Sequence, residues 1–168
     1  MARKDLRNVT MKIIDKTAVT PLELVVKIGT GNITWSENFA YEYEPDRGTL
    51  APATGTVRKG DDTPVEVSVQ CTWEFIIGDG AIQPYEALTG TGLGASIPWV
   101  STASDACEPY AVTLQFFHDV GCGATKDETI KFVEFRVEKC DFDFQAGTLS
   151  FSGKSKEVRP TVTRNVAA

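Results

Sequence analysis

The strongest pattern in the chain is an alternation of apolar and polar positions over residues 33–77, interrupted by one polar stretch. After the interruption, Val65, Val67, Val69, Cys71, Trp73, Phe75 and Ile77 share one parity, and Glu66, Ser68, Gln70, Thr72 and Glu74 the other. Before it, Ile33, Trp35, Phe39, Tyr41 and Tyr43 stand against Thr34, Ser36, Asn38, Glu42 and Glu44. Side chains alternate across a strand with a period of two. Both stretches therefore predict strands with a buried apolar face and a wet, acidic one, paired as one long hairpin. The joining segment, Pro45 to Pro64, far exceeds the roughly two to five residues that a hairpin needs, and loops of that length are usually functional or disordered.

The rest of the chain is also strand-like. A first strand is predicted over Thr10–Asp15 and a second over Pro21–Ile28, with Leu22, Leu24, Val26 and Ile28 on one face. Gly29, Gly31 and Asn32 then turn the chain into the hairpin. One helix is predicted, Gln83–Thr89, with Pro84 suited to its first turn and Gly90 to the position past its end. Residues 90–106 form a loop with a short strand near Trp99, followed by strands over Tyr110–His118, Thr129–Lys139 and Asp141–Lys154. The last has a fault in its phase: Phe142 and Phe144 are even, whereas Leu149 and Phe151 are odd, with Ala146-Gly147 between. A β-bulge or tight turn at Gly147 repairs it. Roughly seven strands, one short helix and no βαβ spacing predict a mostly β fold, an antiparallel β-sandwich or barrel. Residues 1–168 are expected to form a single domain, with an N-terminal arm 1–9, the long loop 45–64 and a C-terminal arm 154–168.

Composition narrows the classes. A chain of 168 residues is large enough to bury a core without staples. There is no apolar run long enough to span a membrane and no apolar segment behind the basic N-terminus to act as a secretory signal. Synthesis and folding in a cytoplasm are expected. The net charge of −6 hides an asymmetry: residues 1–16 and 154–168 each carry +3, leaving −12 on the body. Basic ends on an acidic body suit either nucleic acid or the acidic body of a neighbouring copy. An acidic body makes a poor general nucleic-acid binder, since phosphate binding rests on clustered Lys and Arg. Cys107 and Cys122 bracket a predicted strand whose ends lie roughly 30 Å apart, Cys71 belongs to an apolar face, and Cys140 has no obvious partner. Free thiols are expected.

Catalytic and metal signals are weak. The cluster Gly90-Thr-Gly-Leu-Gly94 has a helix before it and Ile97-Pro98 after it, the reverse of a phosphate loop. Cys107, His118 and Cys122 lack the close cysteine pair of a structural zinc site and an evident fourth ligand. His118 is the only histidine, and no nucleophile is marked beside it. Glutamate pairs such as Glu42 with Glu44, or Glu66 with Glu74, are the carboxylates a glycosidase would use, but alternation along a solvated strand produces them readily. No enzymatic activity, cofactor or metal is expected.

Several segments in order resemble a known family. They are Arg7-Asn-Val-Thr-Met-Lys-Ile-Ile-Asp15, Pro21-Leu-Glu-Leu24, Lys27-Ile-Gly-x-Gly-Asn32, Tyr43-x-x-Asp-Arg-Gly-x-Leu50 and Arg58-x-Gly-Asp61. Pro64-Val-Glu-Val-Ser68, Trp73-Glu-Phe75, Cys107-x-Pro-Tyr110 and Ala146-Gly-Thr-Leu-Ser-Phe-Ser-Gly153 follow. Together they resemble the tail tube (major tail) proteins of long-tailed bacteriophages over residues 7–153; residues 154–168 match nothing in that pattern. The resemblance implies a structural virion protein, assembled in the host cytoplasm into the phage tail. Hexameric rings close their inner sheets into one barrel and stack into a hollow tube. A tape-measure protein fills that tube before DNA passes through it without specific binding, and no membrane is involved. The loop matching the family's inter-ring connector is 45–64, with Asp46, Arg47, Arg58, Lys59, Asp61 and Asp62 as its charged positions.

A carboxylate-lined lumen would repel phosphates and let a duplex slide. Glu42, Glu44, Glu66 and Glu74 are therefore expected to line or border it. Two alternatives stay open. One is a carbohydrate- or host-binding β-sandwich, for which Trp99, in a loop, is the one tryptophan off the apolar phase. The other is the tube protein of a contractile injection system.

Overall fold

The structure is a computed structural model that describes residues 9–46, 48, 55–73, 82–91, 99–119 and 127–164. Its elements in chain order are β1 Val9–Ile14, β2 Glu23–Val26, β3 Ile33–Ser36, β4 Tyr41–Glu44, β5 Thr56–Lys59 and β6 Val65–Thr72, then α1 Pro84–Thr89, β7 Val112–His118, β8 Glu128–Asp143, β9 Thr148–Ser155 and β10 Thr161–Arg164. The main sheet runs β2-β1-β7-β8-β9-β6-β3, with β10 beside β8, and β4 and β5 form a separate two-stranded ribbon. Every strand pair is antiparallel. The fold is mostly β, with one short helix.

β8 organises the sheet. Its first half pairs with β7, and its second half, on the opposite edge, pairs with β9. The register slips once between Val112/Leu114 and once between Val137/Lys139. Each slip places an extra residue in β8. Phe132 and Phe135, three apart, thus both reach the core, followed by Val137 and Cys140 at the same face. Bulges of this kind bend a strand and let it pass from one packed layer to another. At the first bulge Glu134 adopts φ 50°, the left-handed region that costs a non-glycine residue about 1–3 kcal/mol. Two strands predicted over 129–139 and 141–154 are therefore one bulged strand and its hairpin partner. The turn between them, residues 144–147, ends on Gly147 at φ 63°, where the phase fault required it.

The core is continuous. Met11, Ile13, Val65, Leu114, Phe132 and Phe135 are fully buried, with Val67, Val69 and Phe151 almost so. Each such side chain stabilises the fold by about 1.5–3 kcal/mol through burial alone. The segment between β2 and β3 runs along β6, where Thr72 N–H donates to the Lys27 carbonyl at 2.9 Å and Gln70 N–H to that of Asn32 at 2.8 Å.

The helix forms where its caps predict. The Glu86 carboxylate accepts the Gln83 N–H at 2.9 Å, Pro84 opens the first turn, and Gly90 closes the last at φ 67°. Tyr110 fixes the helix to the sheet by donating its hydroxyl to the Ala87 carbonyl at 3.0 Å. Burial, with a smaller contribution from the charge of Asp15, pushes that phenol up to about 12.

Asp15 is the polar hub of this layer. It is 4% exposed, and its carboxylate accepts hydrogen bonds from the Leu22 N–H at 2.6 Å, the Val100 and Thr17 N–H groups at 3.1 Å, and the Thr17 hydroxyl. Burial raises its pKa, but the Thr17 hydroxyl and the three backbone donors outweigh it and hold the carboxyl below its ordinary value.

Three expectations change. The long hairpin is split: β3 pairs β6 with Trp35 opposite Val67, whereas β4 pairs β5 with Tyr43 opposite Val57. The expected loop 45–64 thus contains a strand. The predicted buried face of the first arm is exposed at Trp35 (41%), Phe39 (45%), Tyr41 (56%) and Tyr43 (60%). The reason is what lies opposite. The edge of Trp35 still meets Phe132 at 5.9 Å, but β4 and β5 form a two-stranded sheet of their own, and among the described residues no other strand pairs with it. Second, residues 154–164 continue the sheet: β9 reaches Ser155 and β10 follows on the same edge of β8, with Thr161 opposite Lys131. Third, Trp99 is not a loop aromatic in water but a core residue, 8% exposed, and no strand forms at it. Residues 1–8 and 165–168, the outer parts of the expected arms, lie outside the described residues.

Candidate functional site

The candidate catalytic and metal-binding groups do not converge. His118 ends β7 opposite Val9 and Glu128, whereas exposed Cys107 precedes the other end of that strand. Seven strand residues separate those ends by roughly 20 Å. Cys122, Gly92 and Gly94 lie outside the described residues, and among the described residues no three potential metal ligands cluster. Cys71 is buried. Burial, and secondarily Cys140, pushes its thiol up to about 12, and burial also raises Cys140. Both behave as core thiols rather than nucleophiles. Among the described residues no helix is long and apolar enough to cross a membrane.

What the structure does build is a set of surfaces. The first is the wet face of β3, β6, β9 and the second half of β8. Ladder pairing aligns Ser36, Glu66, Lys154 and Arg136 in one row, and Thr34, Ser68, Ser152 and Lys139 in the next. Gln70, Ser150 and Asp141 form a third. This face is not the purely acidic one that the hairpin alone predicts. The neighbouring strands add lysines, so Lys154 lies 3.8 Å from Glu66 and 3.6 Å from Glu138, and Lys139 lies 2.6 Å from Asp141. Between those ion pairs the wall is mainly hydroxyl. A groove of about 300 Å³ lies on this face between Ser36, Glu66, Ser152 and Lys154.

The second surface is the ribbon. Tyr41, Tyr43, Val57 and Lys59 share one face, and Glu42, Glu44, Thr56 and Arg58 the other. On the polar face, Arg58 lies 3.1 Å from Glu44, which also accepts the Thr56 hydroxyl at 3.2 Å. On the apolar face Val57 is 56% exposed, like the tyrosines beside it. The root of the ribbon is fixed. Gly60 N–H donates to the Ala40 carbonyl at 2.9 Å, the Thr63 hydroxyl to that of Asn38 at 2.9 Å, and Arg159 stacks 4.4 Å above the Phe39 ring. The ribbon thus projects from a braced base.

The expected site residues divide between these surfaces. Glu66 lies on the sheet wall, Glu42 and Glu44 lie on the ribbon, and Glu74 lies outside the described residues. Arg58 and Lys59 belong to β5, Asp61 and Asp62 to the segment leading into β6, and Asp46 forms a β-bridge just past β4. Lys59 lies 2.5 Å from Asp62, and Arg47 lies outside the described residues.

Sequence reasoning missed a charged cluster at the first β8 bulge. Arg136 lies 2.6 Å from Glu108 and 3.6 Å from Glu134, while Lys156 bonds Glu108 and lies 3.6 Å from Glu134. The hydrogen bond from Lys156, ahead of the one from Arg136, holds the Glu108 carboxyl below its usual value, and Glu108 in turn raises Lys156. The four residues come from three distant segments, so no sequence spacing announces them. The cluster ties the 104–109 loop and the segment after β9 to the strained bulge.

Neither the protein-family models nor the curated proteins compared with this chain give a match.

Proposed function

We propose that this chain is a self-assembling structural subunit of a hollow tube, of the kind that delivers phage DNA. Copies form rings, hexameric in the family it resembles, and the rings stack. The observation that carries this reading is the projecting ribbon, whose Tyr41, Tyr43 and Val57 are each more than half exposed on one face. Monomeric proteins rarely keep a contiguous apolar face in water, and such faces mark interaction sites. The sheet supports the same reading. Among the described residues β2 and β3 end it without a further strand partner, and exposed edges of that type are removed by pairing or closure.

In the tube the hydroxyl-rich wall of β3, β6, β9 and β8 faces the lumen, with Glu66 on it, and Glu42 and Glu44 border it from the ribbon. Asp46, Arg47, Arg58, Lys59, Asp61 and Asp62 belong to the connector between rings. Mutually paired charges such as Lys154 with Glu66 leave few free cations to condense on phosphates, so DNA slides past without being held. The tape-measure protein occupies the same channel before ejection, and the assembled protein resides in the virion tail. A glycan-binding module is the less favoured reading, because Trp99, the aromatic offered for it, lies in the core.

Electron microscopy of the purified protein tests the proposal. Rings or tubes about 100 Å across, the width of several small domains side by side, are expected. A dispersed monomer at every concentration would overturn it.

A further inference from the structure

A third surface lies at the other end of β6. Trp73 follows that strand directly, and its ring centroid stands 4.6 Å from Phe144 and 5.1 Å from Phe142; Tyr85 of α1 closes the group 5.8 Å from Phe142. Phe144 is 87% exposed and Phe142 44%. The backbone holds these rings firmly: the Asp143 carboxylate accepts the Gln145 N–H at 2.9 Å and the Ala146 N–H at 3.0 Å, and Trp73 N–H donates to the Gly147 carbonyl at 2.8 Å. A pre-ordered apolar surface binds with little entropic cost.

We propose that this aromatic end is the seat for the β4–β5 ribbon of a second copy of this chain, an inference that rests on the tube-subunit reading above. The two surfaces are complementary. The ribbon offers Tyr41, Tyr43 and Val57 with the cation Lys59 on the same face, and the seat offers Trp73, Phe142 and Phe144 beside the carboxylate of Asp143. They also lie at opposite ends of one strand. The ribbon root joins β6 at Val65 and the seat begins after Thr72, a separation of about 26 Å, whereas a four-residue strand reaches only about 13 Å. Tyr41 and Tyr43 therefore cannot cover their own seat. A contact between unlike surfaces at opposite ends is heterologous, and it propagates from copy to copy instead of closing as a dimer. The contact is small. Three aromatic side chains bury about 150–250 Å² each at most, short of the roughly 1,200–2,000 Å² of a stable pair. It holds only when repeated around a ring, so elongation is cooperative and isolated pairs are scarce.

The test places a photoreactive benzoylphenylalanine at Phe144 in the full chain, mixed with unmodified copies labelled with nitrogen-15. After irradiation under assembling conditions, adducts to labelled peptides spanning 41–59 are expected. Labelled adducts elsewhere would overturn the seat while leaving self-assembly standing. Adducts confined to the modified copy's own chain would show the seat covered internally and overturn it as well. Absence of any polymer of the unmodified protein would overturn both proposals, and adducts only to an added glycan would replace the seat with a sugar platform. In parallel, Phe144→Ser and Tyr43→Ser should each raise the concentration at which polymers appear about tenfold, the loss of one well-packed aromatic contact. The double variant should be no worse than either, because the two residues serve one contact. Full additivity of the two effects would contradict it.

Discussion

The base and the tip of the β3–β6 region carry the same alternation of apolar and polar residues and meet opposite fates. At the base Val65, Val67, Val69 and Cys71 are at most 1% exposed, because they pack into one core cluster with Met11, Ile13, Leu114 and Phe116. At the tip Tyr41, Tyr43 and Val57 follow the same period and stay more than half exposed. A period of two shows which face of a strand is apolar; what covers that face depends on the rest of the chain or on another molecule. In the base the cover is intramolecular. In the tip we assign it to a second copy.

The comparison breaks most visibly under large-to-small substitution. Phe132→Ala should cost about 3–5 kcal/mol in urea denaturation, since Phe132 is fully buried between Trp35 and Phe116. Tyr43→Ser should leave the stability of the isolated subunit within about 0.5 kcal/mol of the parent and still weaken assembly. Equal losses of subunit stability would erase the distinction.

Asp15 gives the next effect. Asp15→Ala removes an acceptor that serves four donors and should cost about 2–3 kcal/mol at pH 7, measured by the same denaturation. Because the folded carboxyl is held below its ordinary value, its contribution is fully present above the unfolded value of about 3.9 and is lost as pH falls through the folded one. The variant should therefore lack part of the parent's acid-induced destabilisation, and matching pH profiles would contradict that role. No corresponding buried hub is present among the described residues of the ribbon.

Thiol chemistry separates core from surface in the same way. At pH 8 Cys107, which is exposed, should be open to a thiol reagent, while Cys71, buried and pushed up to about 12, should be protected until the chain unfolds. Rapid labelling of Cys71 in the folded protein would show the β6 core to be open. The smallest effect belongs to the ribbon's polar face. Arg58→Gln removes an ion pair whose partners are 70% and 63% exposed, and should change subunit stability by less than about 0.5 kcal/mol.

Signals that act locally were legible in the sequence. The helix declared itself through Pro84 and Gly90, β6 through its alternation, and the turn at Gly147 through the phase fault beside it. Features set by distant neighbours were not. Phe132 and Phe135 share the core only because a bulge lies between them, and no local period reveals that. Lys154 faces Glu66 only because β9 pairs with β6, so a wall read from one hairpin looked more acidic than it is. Trp99 sits among Gly, Ser and Thr and still packs into the core. The exposure of Tyr41 and Tyr43 is likewise set by the tertiary surroundings of the ribbon and not by its local period.

Oxidative footprinting of Tyr41 and Tyr43 in dilute subunits and in concentrated assemblies measures the central claim directly. Both tyrosines should be labelled readily in the subunit and become protected on assembly, while Tyr110, already half-buried under its bond to Ala87, should change little. Equal labelling of Tyr41 and Tyr43 in the two states would mean that no second copy covers the ribbon, and would contradict the account.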